Sequence, residues 1–524
     1  MRRDMGDYQT PPELARQVLA ALWACRRGWP RVLEPTCGKG VFIDALVGRD
    51  PPPREIQALE LQEHYVRLAR ETAIRNPSVR VIVTRGNIFD FDLRDGLQWR
   101  ESGPLLIVGN PPWVTNSELG AIGSANLPKK RNLKRLAGIE ALTGESNFDV
   151  AEFIWIKILR QLGHLRPTIA LLCKTSVARN VLKFCSDTGI PIRPLFLRKI
   201  DAARWFGTAV GACLFCVEAG AEEVAYTVPV YPSLEALEPE TTIGVVRGRL
   251  VADVGAHGAS AFADGKCTLP WHQGVKHDAA AVMELSRDQQ GLLRNALGEE
   301  VDAEPRFVFP LAKGSDLFRG RVRTANRFVL VTQRHLGENT TLLKRSAPRL
   351  WAYLNRHAEF FERRKSSIYR RRPPFAMFGI GDYSFAKYKV GVSGLHKSPV
   401  FRLLGPVEDR PVLLDDTCYF LACRNALQAA LISSLLNSPD CLDLLRSLVF
   451  TDSKRPITKR VLARIDLGAI LHQMDRAALR KRVGVELRSV CTGAERNLAV
   501  QEGEWEDLLS ETPAEVHGQT ARLF

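Results

Sequence analysis

An apolar run, Leu105-Leu106-Ile107-Val108-Gly109, ends on Asn110-Pro111-Pro112-Trp113, and no other stretch restricts the fold as tightly. The run reads as a short buried strand. Neither proline has an N–H to give to a neighbouring strand, so the strand cannot continue through them. The corner therefore marks the carboxyl end of a strand, which is where open α/β sheets bind ligands. Stiffened by two rings, the Asn110 side-chain oxygen and the Pro111 carbonyl form a fixed pair of acceptors, with the flat face of Trp113 beside them. Such a pair suits an exocyclic amine. If each oxygen takes one N–H, the nitrogen is drawn toward tetrahedral geometry and its lone pair is aimed. Orientation and fixed dipoles then supply the catalysis, without an activated base.

The segments upstream repeat strand, turn and helix. Val32-Leu33-Glu34 reads as a strand running into Pro35-Thr36-Cys37-Gly38-Lys39-Gly40, where Gly38 and Gly40 let backbone approach a ligand closely. No third glycine follows at dinucleotide spacing, which argues against a nicotinamide-binding unit. Glu34, awkward in a core, could answer the positive amino acid end of a cofactor. A second strand, Ile56 to Glu60, ends in a carboxylate roughly 25 residues after the first, the spacing at which an acid takes a ribose hydroxyl pair. A third, Val79 to Val83, runs into Gly86-Asn87-Ile88-Phe89. Ahead of them all, Thr10 is the expected N-cap of a helix with Pro11 in its first turn and Glu13 completing a capping box.

This ordered set resembles the amino-group DNA methyltransferases, which carry Asn-Pro-Pro-aromatic and methylate adenine N6 with S-adenosyl-L-methionine. The resemblance, strongest over residues 1–225, implies an α/β fold: a Rossmann-like class I methyltransferase sheet, mostly parallel with its last strand antiparallel. It implies a cofactor site of Thr10, Glu34, Pro35, Thr36, Cys37, Gly38, Gly40, Glu60, Asn87, Ile88 and Asn110. In the family the position of Asn87 is usually Asp, accepting from the cofactor adenine amine; an amide oxygen can still accept. The catalytic residues would be Asn110, Pro111, Pro112 and Trp113, with a flipped base stacked on Trp113 and, from its opposite face, on Phe206 or the competing Trp205.

At 524 residues the chain is too long for one ordinary core, and two or three domains are expected. The expected division is a catalytic domain over 1–225, a linker or boundary over 226–265, an α+β target-recognition domain over 266–505 and a polar tail over 506–524. A net charge of +15 suggests a polyanionic partner, here double-stranded DNA. In the second half Lys276, Arg370, Arg371, Arg372, Lys387, Lys389 and Lys397 are the candidate DNA contacts. His272 and His277 read as surface or DNA-facing groups, and the 11 scattered cysteines lack the spacing of a metal site, so no metal is expected. Thr115 to Ser146 reads as a solvated loop or a basic flap over DNA, and long loops beside active sites favour the flap. No apolar run approaches the length of a membrane span and no signal peptide is visible, so a cytoplasmic protein is expected. The few residues before Thr10 leave no room for an N-terminal nuclease, so a restriction endonuclease, if paired with this chain, would be a separate polypeptide. Cytosine-N4, RNA or protein methylation, and a non-catalytic DNA-binding module on the same fold, are the competing readings; the sequence fixes no oligomeric state.

Overall fold

The computed structural model describes residues 9–26, 28–114, 149–322, 326–491, 498–501 and 503–510. The chain divides into two compact units, Met1–Gly255 and Ala256–Phe524. The basic segment 115–146 lies outside the described residues.

The first unit is built on one ten-stranded sheet. Its strands are β1 (Arg31–Glu34), β2 (Glu55–Glu60), β3 (Arg80–Arg85), β4 (Leu105–Gly109), β5 (Thr168–Lys174), β6 (Ile192–Ile200), β7 (Ala212–Ala219), β8 (Thr227–Tyr231), β9 (Thr241–Val246) and β10 (Arg249–Val251). They lie in the order β10-β9-β8-β6-β7-β5-β4-β1-β2-β3. β1 to β5 run parallel, while β7 is antiparallel to both β5 and β6. The order reverses at β1, between β2 on one side and β4 on the other, which opens a crevice above their carboxyl ends. Helices α1 (Pro12–Cys25), α2 (Val41–Val47), α3 (Glu63–Ile74), α4 (Val150–Leu162), α5 (Thr175–Thr188) and α6 (Ala202–Phe206) belong to this unit. Leu14, Val18 and Leu22 of α1 and Phe42 and Ile43 of α2 share a buried core with Val32, Ile56 and Leu106 of the sheet.

Two expectations change here. Residues 227–251 are not a linker: they form β8, β9 and β10, with β8 joined to β6 and the other two continuing the sheet. The turns between these strands carry the glycines, prolines and acids that dominate the composition. The strands themselves, Thr-Val-Pro-Val-Tyr and Thr-Thr-Ile-Gly-Val-Val, are rich in β-branched residues. The helix near the amino end starts one residue later than Thr10 would set, with Pro11 as N-cap at φ −62°, ψ 141° and no side-chain cap. A residue before proline is driven out of the helical region, so Pro12 forces Pro11 into that place.

The second unit holds a four-stranded sheet in the order β11-β19-β16-β17 and a five-stranded sheet in the order β13-β12-β15-β14-β18. The first comprises β11 (His272–Gln273), β16 (Tyr388–Ser393), β17 (Arg402–Leu404) and β19 (Cys418–Cys423). The second comprises β12 (Glu284–Arg287), β13 (Leu293–Arg294), β14 (Val308–Ala312), β15 (Arg327–Leu330) and β18 (Leu413–Leu414). Helices Ala426–Leu436, Pro439–Leu448, Leu467–Gln473 and Arg476–Val490 follow. The expected polar tail begins as structure: Trp505–Ser510 is helical with Trp505, Leu508 and Leu509 buried, and the Leu508 carbonyl accepts from Gln428. Among the described residues no helix is long and apolar enough to cross a membrane.

Candidate active site

β1, β2, β3 and β4 end side by side, and each delivers one polar group to the same place. Glu34 closes β1, Glu60 closes β2, Asn87 follows β3 and Asn110 follows β4. The strand ends are close enough that a Cβ added to Gly109 would stand 3.6 Å from Glu34 Cγ. Between them lies a cleft, open to solvent, lined by Thr10, Glu34, Pro35, Thr36, Cys37, Gly38, Glu60, Asn87, Ile88, Asn110 and Pro112.

The glycine turn shapes its wall. Gly38 and Gly40 have φ of +52° and +81°, in the left-handed region that favours glycine. Gly40 does not face the cleft; it caps α2 from the left-handed conformation, and a Cβ there would press on Ala69 Cα at 3.2 Å. The Gly38 N–H donates to Glu60 Oε2 at 3.0 Å, and Glu60 Oε1 accepts from Gln62 N–H at 2.7 Å. Glu60 thus locks the turn in place from the end of β2. Asn87 is also committed locally: its Oδ1 accepts from Phe89 N–H at 3.1 Å and its Nδ2 donates to Asp90 at 3.2 Å.

Glu34 is the outlier in chemistry. It is 2% exposed, and its Oε2 has no hydrogen-bond partner among the described residues. Burial first, and the nearby Glu60 carboxylate second, hold its pKa well above the ordinary carboxylate range. A buried carboxyl lining a cleft, with one oxygen unpartnered among the described residues, is what a cationic ligand would satisfy. Beside it, burial together with Glu34 and Glu60 pushes the Cys37 thiol well up, so Cys37 is a neutral wall residue rather than a nucleophile.

Sequence reasoning missed Gln9, Phe42, Tyr65, Val114, Val150 and Ile154, which also line the cleft. Val150 and Ile154 are one turn apart on α4, whose start is fixed by Asp149 accepting from Ala151 N–H at 3.0 Å. Their apolar spacing was visible; that it faces a ligand was not.

The aromatic pair departs from expectation. Trp113 is 5% exposed, its indole N–H donates to the Leu172 carbonyl at 3.4 Å, and its ring meets Phe206 edge-on with centroids 4.9 Å apart. A base held between two parallel rings needs them roughly 7 Å apart, twice a van der Waals contact. The two rings touch instead of framing a slot. Pro111 is buried beside them, and neither it, Trp113 nor Phe206 lines the cleft.

In the second unit Arg370, Arg371, Arg372, Lys387 and Lys397 are exposed, and none makes an ion pair among the described residues. Lys276 pairs with Asp278 at 2.6 Å. Lys389 cannot reach DNA: it is 1% exposed within β16, and its ammonium group donates to the carbonyls of Ala386 at 2.6 Å and Val412 at 3.0 Å. β16 is buried on both faces, so alternation along it does not sort inside from outside. Of the two histidines, His272 is half-buried and only His277 is removed from the surface. His272 stacks on Tyr383 with centroids 3.8 Å apart, and His277 is buried with Nδ1 accepting from Ala279 N–H. No cluster of three metal-ligating side chains occurs among the described residues.

A curated relative, the type II methyltransferase M.NspV of Nostoc sp., is 35% identical over 468 residues, 89% of this chain and 97% of the relative. The chain belongs to the type II methyltransferases. Such an enzyme draws its methyl group from S-adenosylmethionine, and the cleft fits that molecule: an orphaned carboxyl for a cationic amino acid end, a second carboxylate for a ribose, and a turn on which side chains would intrude. Among solved structures, the type IIL restriction-modification enzyme MmeI in complex with DNA aligns with this methyltransferase at a TM-score of 0.54. The match covers 96% of this chain and 72% of that one at 12% identity, a likeness of fold. No family model matches the chain.

Proposed function

We propose that this methyltransferase modifies the N6 amine of an adenine rotated out of duplex DNA, and that it is the modification enzyme of a restriction-modification system whose nuclease is a separate chain. The observation that carries this reading is Asn110, at the end of β4, lining one cleft with Glu34, Gly38, Glu60 and Asn87. In this reading Glu60 holds the ribose, Asn87 and Ile88 the adenine, and Glu34 the ammonium of the cofactor. The cofactor supplies an electrophilic methyl group. Asn110 Oδ1 and the Pro111 carbonyl accept the two hydrogens of the target amine and turn its lone pair toward that methyl. Among the described residues no histidine or lysine lines the cleft, which suits catalysis by orientation rather than by proton abstraction. For the base to stack on Trp113, that ring and Phe206 must part. The exposed Arg370, Arg371, Arg372, Lys387 and Lys397 are the groups we assign to DNA phosphates, making the second unit the target-recognition domain.

The test is transfer of labelled methyl from S-adenosylmethionine to duplex DNA, structured RNA and protein, followed by digestion and mass spectrometry of the modified nucleosides. N6-methyladenine in duplex DNA is expected. N4-methylcytosine, whose amine needs the same two acceptors, would move the reaction to cytosine. DNA binding without any transfer would leave a binding module in place of an enzyme. Cleavage of unmethylated plasmid by the pure chain in magnesium would overturn the assignment of the nuclease to another polypeptide.

A further inference from the structure

α4 is almost wholly buried and yet carries a lysine in its middle turn. Lys157 is 7% exposed, and its ammonium group donates to the Phe89 carbonyl at 3.0 Å. Burial pulls its pKa below the lysine range, while the carboxylates of Asp92 and Asp90 pull it back up. The bond completes a clamp, because the Phe89 N–H already donates to Asn87 Oδ1 at 3.1 Å. Phe89 is thus gripped from both sides of its backbone. One turn beyond, Gln161 Oε1 accepts from Leu93 N–H at 3.1 Å, and one turn before, the Phe153 ring meets Phe89 at 5.2 Å. Val150, Ile154, Lys157 and Gln161 share one helical face by their spacing of four, three and four. The first two line the cleft; the last two hold the loop that forms its far wall.

From this we infer that Lys157 is a positioning residue for the cofactor: by fixing the Phe89 carbonyl it sets Asn87 and Ile88 at the depth where the adenine of S-adenosylmethionine lies. The inference rests on the proposed assignment of Asn87 and Ile88 to the adenine. An uncharged side chain of the same length would leave the Phe89 carbonyl buried without a donor, and the loop would relax toward water at the expense of the wall. Lys157 touches no reacting atom, so its loss falls on cofactor binding and not on the methyl-transfer step.

The experiment measures S-adenosylhomocysteine affinity of the full chain by calorimetry, and KM for each substrate with kcat at saturating cofactor. Lys157→Met is expected to weaken S-adenosylhomocysteine about 10- to 30-fold, to raise KM for S-adenosylmethionine alike, and to leave kcat and KM for the nucleic acid within about threefold. Lys157→Arg, which keeps a donor, is expected to recover most of the affinity. Ile88→Arg, which fills the adenine space, serves as the control. If Lys157→Met lowers Tm but binds S-adenosylhomocysteine as the parent does, while Ile88→Arg does not bind it, the lysine is merely structural and the inference falls. If Ile88→Arg also binds normally, the adenine is elsewhere, and the assignment falls together with the inference. The binding readout needs no methyl acceptor, so an error in the proposed target base leaves it unaffected.

Discussion

Glu34→Gln should make the unliganded protein more stable and the cofactor complex weaker. In the free protein the Glu34 carboxyl is buried, without a partner for Oε2 among the described residues and close to Glu60, so its folded-state pKa stands well above the usual 4.5. For an acid shifted in this direction the folded state holds its proton longer than the unfolded one. The contribution of Glu34 to stability is therefore greatest below about pH 4.5 and declines as pH rises toward the folded-state value. Gln is the isostere of the protonated form. The variant and the parent should melt close together at pH 5 and diverge by pH 8, with the variant higher. The buried charge that Gln does not carry costs the parent about 1–3 kcal/mol at pH 8, which for a unit of this size is roughly 2–12 °C in Tm. Binding moves the other way, because the variant has no charge for the cofactor ammonium: a loss of about 10- to 100-fold in S-adenosylhomocysteine affinity. Scanning fluorimetry at pH 5 and 8 and calorimetry in buffers of different ionisation enthalpy read both effects. The parent should release more protons on binding than the variant does. A variant that melts lower at pH 8, binds as tightly as the parent and shows the same proton release would refute the role given to this carboxyl.

Asn110→Ala should reduce turnover by about 10²–10³-fold with S-adenosylhomocysteine affinity nearly unchanged, whereas Glu60→Ala should mainly weaken the cofactor because it frees the Gly38 turn; equal losses in both measurements for both variants would show the roles wrongly divided. Lys389, pulled down to about 7 by burial, loses its proton in the folded state while the unfolded chain keeps one, so denaturant stability of the protein should rise between pH 7 and 10. Lys389→Met should abolish that rise and leave DNA affinity untouched, which filter binding at fixed salt would check. Replacing Arg370, Arg371 and Arg372 together with Ala should flatten the dependence of DNA affinity on salt by a slope of about 3; an unchanged slope would remove that loop from the interface.

The first seven strands could be read from the chain, most plainly those buried on both faces: Leu105–Gly109 and Thr168–Lys174 are continuous apolar runs with no other sensible fate. Asp149 before an apolar helix was equally legible, since a capping side chain and its helix are local in sequence. What stayed hidden depends on depth rather than on residue type. A lysine in a basic, aromatic-rich segment counts the same whether it is exposed like Lys387 or buried like Lys389. Within Val150–Leu162 three charges, Glu152, Lys157 and Arg160, interrupt an apolar helix, and the first two turn out to be buried, Glu152 against Asn180 with its pKa pushed up to about 7. That interruption was the available signal for Lys157. Trp113 and Phe206 lie far apart in sequence, and nothing local says whether two rings at a site touch or leave a gap.

That contact sets a threshold for the enzyme. With the indole tethered to Leu172 and its ring edge-on to Phe206, the resting corner is shut, and on the proposed reading a nucleobase must displace protein before it gains a stacking partner. On the proposed reading, discrimination then begins ahead of chemistry: a sequence whose phosphate and groove contacts cannot hold the corner open is released with its bases still paired.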